Sequence, residues 1–210
     1  MGQETDGLPQ DQPPELVAPR ADPGDGSRSA GQVVTTHGEL ATELIERMDR
    51  DQIARSEAAR RATGDDLWAL VREVDLDNTA WLSQIIDWQG WPRRSDVGED
   101  AATAAWLLAQ HADHDPDFQR RCLRLLARAV DGGEAEPPHL AYLTDRVWRA
   151  EGRPQRYGTQ FWYGPDGNGP LQPQPIEDLP HLDERRRSVG LGPFAEHASQ
   201  LRQQDEQRRH

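Results

Sequence analysis

The stretch VGEDAATAAWLLAQHAD, residues 97–113, carries the pattern that decides the fold. Four of its residues stand at positions i, i+3, i+4 and i+7 of a helix: Ala104, Leu107, Leu108 and His111. This spacing places all four on one helix face, so we predict a helix from about residue 98 to residue 112 with that face turned inward. An inward imidazole needs a hydrogen-bond partner. His111 is therefore the first residue to consider as functional.

Helical patterns continue on both sides of this stretch. A first helix is predicted over residues 38–62, and a second segment opens at Asp65. The Asp77-Asn78-Thr79 signal then predicts the start of a separate helix, which Gly90 and Pro92 end. Further on, Asp115 is a predicted N-cap with Pro116 in the first turn. The remaining predicted helices start at Pro137, around Leu182 and around Pro193.

The pattern changes after Pro154. Residues 157–163 are aromatic and extended, residues 164–169 are rich in Gly, and residues 171–176 alternate with Gln and Pro. This pattern is typical of a small hairpin at an edge. The predicted fold class is therefore mainly α: a single helical, bundle-like domain with a small two-stranded β-hairpin near the C-terminus and a disordered N-terminal tail.

Composition sets the predicted domain limits. Residues 1–36 are rich in Pro, Gly, Asp, Gln and Ser, and such a segment buries too little apolar surface to fold, so we predict a disordered tail. The helical domain is predicted over residues 37–201. The polar residues 202–210 are predicted to fray.

Charge and residue content exclude several classes of function. The chain has 37 acidic and 24 basic residues and a formal charge of −13, which argues against nucleic-acid and anionic-membrane partners. No Lys is present, which excludes a Schiff base and a P-loop. No run approaches the ~18 apolar residues of a membrane span. The first residues have no signal-peptide pattern, so we expect a cytoplasmic protein.

Three polar clusters are candidates for a site. In the first, His111 is a general acid/base candidate that Asp113 or Asp100 would hold. In the second, Arg146 follows Asp145 in mid-helix, and the alternatives are a salt bridge or an anchor for an anionic group. Two groups that can orient a substrate, Tyr157 and Gln160, lie in an extended turn further on. In the third cluster, Asp51 and Arg55 stand four residues apart on the first helix, where an ion pair on a solvated face is the default. Asn78 is a predicted helix cap.

With these residues in view, the chain resembles a bacterial family known only as domain of unknown function 6624. The stretches that carry the resemblance are residues 48–55 (MDRDQIAR), 78–92, 97–113, 143–151 (LTDRVWRAE) and 152–160 (GRPQRYGTQ), followed by Pro175-Ile176-Glu177-Asp178. Gln110-His111-Ala112-Asp113 and Tyr157-Gly158-Thr159-Gln160 are the parts most strongly associated with that family. The resemblance implies no assigned activity. It implies shared polar positions on several distant segments, which favours one common pocket.

Two hypotheses follow. In the first, the protein is a small enzyme with catalytic residues His111, Asp113 and Tyr157, acting on a small polar or anionic molecule by hydrolysis or another proton transfer. The substrate-binding candidates are Arg146, Gln160, Asp51, Arg55 and Asn78. No cofactor and no metal ligand is predicted, although a divalent metal held by His111 and carboxylates, as in a metal-dependent hydrolase, stays open. In the second hypothesis the protein binds a protein partner without catalysis, and the polar cluster is a structural network.

Overall fold

The computed structural model describes residues 36–60, 65–164 and 169–209, all within one compact unit, Thr35–His210. The predicted disordered tail, residues 1–36, lies outside the described residues apart from Thr36. Thr36 and Glu39 cap the first helix reciprocally: the Glu39 backbone N–H donates to the Thr36 hydroxyl, and the Thr36 N–H donates to the Glu39 carboxylate.

The described residues form a mainly helical domain, as the sequence predicts. The helices are α1 (His37–Arg60), α2 (Asp65–Gln89), α3 (Arg94–Val97), α4 (Glu99–Gln110), α5 (Pro116–Asp131), α6 (Pro137–Ala150), α7 (Leu182–Ser188) and α8 (Phe194–Arg209). A 3₁₀ turn, Leu179–His181, precedes α7. None of the described helices is both long and apolar enough to cross a membrane.

Helix α4 lies at the centre of the fold and packs against α1, α2, α5 and α6. Its buried face consists mainly of alanines, which let neighbouring helices approach closely, together with Leu108. The principal core joins this face to Leu40, Leu44, Leu82 and Leu126 from three other helices. Because α4 packs against four other helices, the position of its C-terminal end is fixed, and with it the position of His111.

Helix α2 differs from the sequence prediction. It is continuous from Asp65 to Gln89, whereas the Asp77-Asn78-Thr79 signal predicts a new helix start. The reason is that Arg47 on α1 takes both side chains: its Nη1 donates to Asp77 at 2.7 Å and to Asn78 at 3.0 Å. These oxygens therefore serve a contact between helices, and the prediction that Asn78 caps a helix is wrong.

The helix signals around α5 are confirmed. The Asp115 side chain accepts a hydrogen bond from the Phe118 backbone N–H at 3.0 Å, with Pro116 in the first turn. Helix α5 ends at Asp131 before Gly132. Asp115 thus has a structural task in turning the chain from α4 into α5.

The predicted hairpin is present near the C-terminus, and its strands are short. Strand β1 (Phe161–Trp162) pairs with β2 (Gln172–Pro173) in antiparallel orientation. Part of the turn between them, residues 165–168, lies outside the described residues. Helix α8 extends through Arg209, so it includes most of the segment for which the sequence predicts fraying. The predicted domain limits themselves stay predictions.

Leu108 provides a test of the role of α4. We expect Leu108→Ala to lower the free energy of unfolding by about 2–5 kcal/mol, because a Leu that is 2% exposed leaves a cavity when truncated. Leu179→Ala is the control, because Leu179 is 59% exposed and its loss should cost about 0.5 kcal/mol or less. Urea unfolding measures both, and equal costs would contradict the central position of α4.

Candidate functional site

His111 is held by Asp51, a residue of α1. The imidazole follows the last residue of α4, and its Nδ1 lies 3.0 Å from both carboxylate oxygens of Asp51. The Asp51 side chain is 1% exposed and the His111 side chain 14%. The carboxylate oxygens of Asp51 can only accept, so they favour the tautomer with the proton on Nδ1. The Nε of Arg55 also lies 3.1 Å from Nδ1, and with this tautomer its N–H donates to Oδ1 of Asp51 instead. Nε2 is then the nitrogen left for a ligand, and no described residue hydrogen-bonds to it.

Arg55 joins Asp51 to a second carboxylate, that of Asp75 on α2. Its Nε donates to Asp51 at 3.1 Å, and its Nη2 donates to Asp75 at 2.5 Å. Burial acts to raise the pKa of Asp51, but the hydrogen bond and charge of His111, together with Arg55, outweigh it and lower that pKa. Burial raises the pKa of Asp75, which Arg55 offsets only in part. The pair predicted for a solvated helix face is therefore part of a buried network.

This network is also the best candidate for a metal site among the described residues. Ligand atoms of Asp51, Asp75 and His111 lie within 4.8 Å of one another. Carboxylates and imidazole suit several divalent metals. However, the Arg55 guanidinium hydrogen-bonds to both carboxylates and already supplies the positive charge that a cation would bring. The geometry therefore favours Arg55 as the resident cation.

Asp113 does not hold His111, contrary to the sequence prediction, and neither does the exposed Asp100. Asp113 lies in the turn beyond α4, where Arg146 binds it through two hydrogen bonds, Nε to Oδ1 at 2.8 Å and Nη2 to Oδ2 at 2.5 Å. Burial acts to raise the pKa of Asp113, but Arg146 outweighs it and lowers that pKa. Arg146 is thus committed to a carboxylate of its own chain.

Asp145 organises the loop after α6. Its buried carboxylate accepts hydrogen bonds from the backbone N–H groups of residues 156, 157 and 159 and from the Thr159 hydroxyl. Burial raises the pKa of this carboxyl, and these donors act in the opposite direction. From the other side, Arg186 donates to the Tyr157 carbonyl at 2.7 Å. Gly158 completes the loop at φ +67°, where a Cβ would lie 3.0 Å from the ring of Phe194.

A cavity of about 520 Å³ lies beside His111. Its lining comes from α4, α6, the loop, the hairpin and α8: Trp106, Leu107, Gln110, His111, Tyr142, Arg146, Thr159, Gln160, Phe161, Tyr163, Leu171, Leu201, Gln204 and Asp205. Three of the predicted site residues are in this lining: His111, Arg146 and Gln160. A volume between about 300 and 1,000 Å³ is typical of small-molecule sites.

Tyr157 is not part of the described lining, so the structure does not bring it together with His111. Its backbone N–H donates to Asp145, and its backbone carbonyl accepts from Arg186. Asn78 is also outside the described lining, and its side chain accepts a hydrogen bond from Arg47. Sequence reasoning did not assign three residues to the site: Asp75, whose carboxylate lies near His111, and Tyr142 and Gln110, which line the same cavity. Gln110 had a signal, because it opens the Gln110–Asp113 motif, whereas nothing marks Asp75 among the other acidic residues of α2.

Comparisons with known proteins identify a family for this chain, and the description of that family names no activity. The family described as "Family of unknown function (DUF6624)" matches residues 38–206. The alpha-1,4-glucan:maltose-1-phosphate maltosyltransferase of Salinibacter ruber (strain DSM 13855 / M31) is 24% identical over 163 residues, which cover 64% of this chain and 24% of that enzyme. The chain therefore spans about a quarter of the length of this curated relative. No solved structure matches the chain.

Replacing Asp145 tests its role in the loop. We expect Asp145→Asn to lower the free energy of unfolding by about 3 kcal/mol, because the new amide donor faces backbone N–H groups and leaves them unpaired. Asp131→Asn is the control, since Asp131 is exposed at the end of α5. Chemical unfolding of both variants gives the comparison. A cost for Asp145→Asn no larger than that of the control would show that the loop does not depend on this carboxylate.

Acid should weaken the Asp113–Arg146 pair. The pKa of Asp113 lies below its ordinary value of 3.8, so the pair stabilises the fold above about pH 4 and loses this contribution as the pH falls through the lowered pKa. We therefore expect the difference in free energy of unfolding between wild type and Asp113→Asn to be largest at neutral pH and to shrink in acid. Unfolding curves across this range measure it, and a difference independent of pH would contradict the ion pair.

Proposed function

This chain belongs to the DUF6624 family of unknown function, and we propose that it binds a small polar molecule in the cavity, where His111 moves a proton to or from that molecule. The observation that carries the proposal is the hydrogen bond from His111 Nδ1 to Asp51, which leaves Nε2 without a partner among the described residues at a cavity. The reaction class is hydrolysis or another proton transfer without a cofactor.

The Asp51–His111 pair supports this role through orientation and charge. A carboxylate on Nδ1 fixes the imidazole tautomer, keeps Nε2 available as a base and stabilises the imidazolium that forms when Nε2 takes a proton. Asp51 is itself anchored by Arg55 and by Gln52, whose side-chain amide donates to it at 2.7 Å. A general base held in this way contributes roughly 10²–10⁴-fold to a reaction rate.

The surroundings of His111 favour binding of a small molecule. The cavity has aromatic and aliphatic walls, and it has a few polar groups that can orient a ligand: Gln110, Tyr142, Arg146 and Gln160. In this proposal Asp51 is a positioning residue, and Arg55 positions Asp51. Asp113 positions Arg146, and Asp145 positions the loop that carries Gln160.

A second candidate is a non-catalytic protein that binds a protein partner. This alternative is favoured because many polar residues of the family motifs hydrogen-bond to one another. Asp113 pairs with Arg146, and Asp145 accepts hydrogen bonds from the loop. In this view the whole cluster fixes the helices. A cytoplasmic location, a bacterial source and the absence of nucleic-acid partners remain predictions from the sequence.

His111→Gln tests the catalytic role. Gln can still donate to Asp51 but cannot take up a proton, so we expect turnover of a para-nitrophenyl ester, glycoside or phosphate to fall by about 100-fold or more. His114→Gln is the matched control, because His114 is an exposed histidine three residues further on. Nitrophenolate release measures turnover, and thermal unfolding confirms that both variants fold.

Asp51→Asn separates positioning from binding. The Asn amide would donate to Nδ1 and force the proton onto Nε2, so we expect kcat to fall while KM changes little. Equal turnover of the ester, the glycoside and the phosphate by wild type and by His111→Gln would contradict the catalytic role of His111. Loss of the folded state in His111→Ala would favour the structural alternative, because it would show that the imidazole mainly holds the helices together.

A further inference from the structure

Gln110 is one of two residues in the described cavity lining that have a buried polar atom without a hydrogen-bond partner; the other is Trp106, at its indole Nε1. Gln110 is 5% exposed, and its Oε1 is buried without a partner among the described residues. No described residue hydrogen-bonds to its Nε2 either, and this atom is not sealed from solvent. Burying an unpaired amide costs free energy, so a ligand that hydrogen-bonds to it gains binding energy. Because the amide of a Gln side chain can flip by 180°, Gln110 can present either its NH₂ donor or its carbonyl acceptor to the cavity.

The charged groups of the described lining, in contrast, already have partners. Arg146 is bound by Asp113 through two hydrogen bonds and reaches Gln160 at 3.4 Å. The Tyr163 hydroxyl donates to Asp205 at 2.7 Å. An anionic ligand would have to compete with Asp113 for Arg146 and would enter a cavity that also contains Asp205. The groups available to a ligand are therefore neutral: the Gln110 amide, the Tyr142 hydroxyl and His111 Nε2.

The walls of the cavity are apolar and partly aromatic. Trp106 stands one helical turn before Gln110 on α4, and its ring stacks on His139 at 3.9 Å on one side. Phe161 and three leucines, Leu107, Leu171 and Leu201, complete the apolar lining. A ligand that fits these surroundings combines an apolar face with several hydroxyl groups and no charge.

We propose that the cavity binds an uncharged sugar ring whose hydroxyl groups hydrogen-bond to Gln110 and to Nε2 of His111. The C–H face of the ring packs against the aromatic wall. This inference deepens the proposed function, on which it rests for the cavity and for the role of Nε2. The sugar hydroxyl that hydrogen-bonds to Nε2 is the group whose proton His111 would take, and Asp51 would stabilise the imidazolium that this transfer forms.

The experiment titrates wild-type protein with three sets of ligands: methyl glycosides of common hexoses and pentoses, the phosphates and uronic acids of the same sugars, and the nucleosides uridine and adenosine. Calorimetry gives the affinity, and shifts of the Trp106 indole NMR signal locate the ligand. We expect at least one neutral glycoside to bind, with its phosphate at least about tenfold weaker. Binding of no neutral glycoside, tighter binding of the anionic forms, or binding of the nucleosides alone would overturn the inference.

Gln110→Met keeps the side-chain volume and removes the amide. We expect it to weaken glycoside binding by about tenfold, the loss of one hydrogen bond, and to leave thermal stability unchanged or higher, because the buried oxygen has no partner to lose. Gln203→Met, at an exposed position of α8, is the matched control. Unchanged affinity or a lowered melting temperature in Gln110→Met would contradict the role of the amide. The comparison of neutral with anionic sugars uses wild-type protein and is decisive even if this variant does not fold.

The two proposals can fail separately. Glycoside binding that persists in His111→Gln, with no turnover by wild type, would retain the ligand class and refute the proton transfer. Turnover of an anionic substrate that depends on His111 would retain the proton transfer and refute the uncharged sugar as the ligand.

Discussion

The buried carboxylate of Asp145 is the constraint on which the rest of the site depends. An ionised group with no exposure to water must be surrounded by donors, and here the donors are the backbone N–H groups of the loop after α6. The loop therefore folds around the carboxylate, with Gly158 in the left-handed region and Arg186 closing the other side. This places Gln160 and Phe161 as one wall of the cavity, opposite the end of α4.

The neighbouring residue, Arg146, ties the same helix to the turn after α4 through Asp113. Two successive residues of α6 thus position the two sides of the cavity. Asp145 holds the loop after α6, and Arg146 holds the turn after α4 through its ion pair with Asp113. Most polar positions of the family pattern are explained in this way, because each satisfies another charged or polar group of the pattern. Among the groups without a partner in the described residues are Nε2 of His111, the amide of Gln110 and the indole N–H of Trp106, and all three residues line the cavity.

The predicted helices were largely correct because apolar periodicity and capping residues are local signals. The division of α2 was wrong because Arg47, thirty residues before Asp77 along the chain, takes the side chains that look like a helix start. For the site, sequence reasoning identified His111, Arg146 and Gln160, but it assigned Asp113 or Asp100 to His111 from their positions on or beside the same helix. The turn after α4 directs Asp113 to Arg146, and the true partner of His111 comes from α1, sixty residues away.

Local patterns of residues are enough to specify the mainly helical fold, the short hairpin and the polar motifs, because the spacing of apolar and polar residues along a helix or strand repeats every few positions. The folded structure is needed to see which charges pair, that Tyr157 lies outside the described lining, and that Gln110 and His111 line the same cavity. Pairing of this kind depends on how α4 packs against α1 and α6. The packing angles of helices are set by the shapes of many side chains together, and no local pattern encodes them.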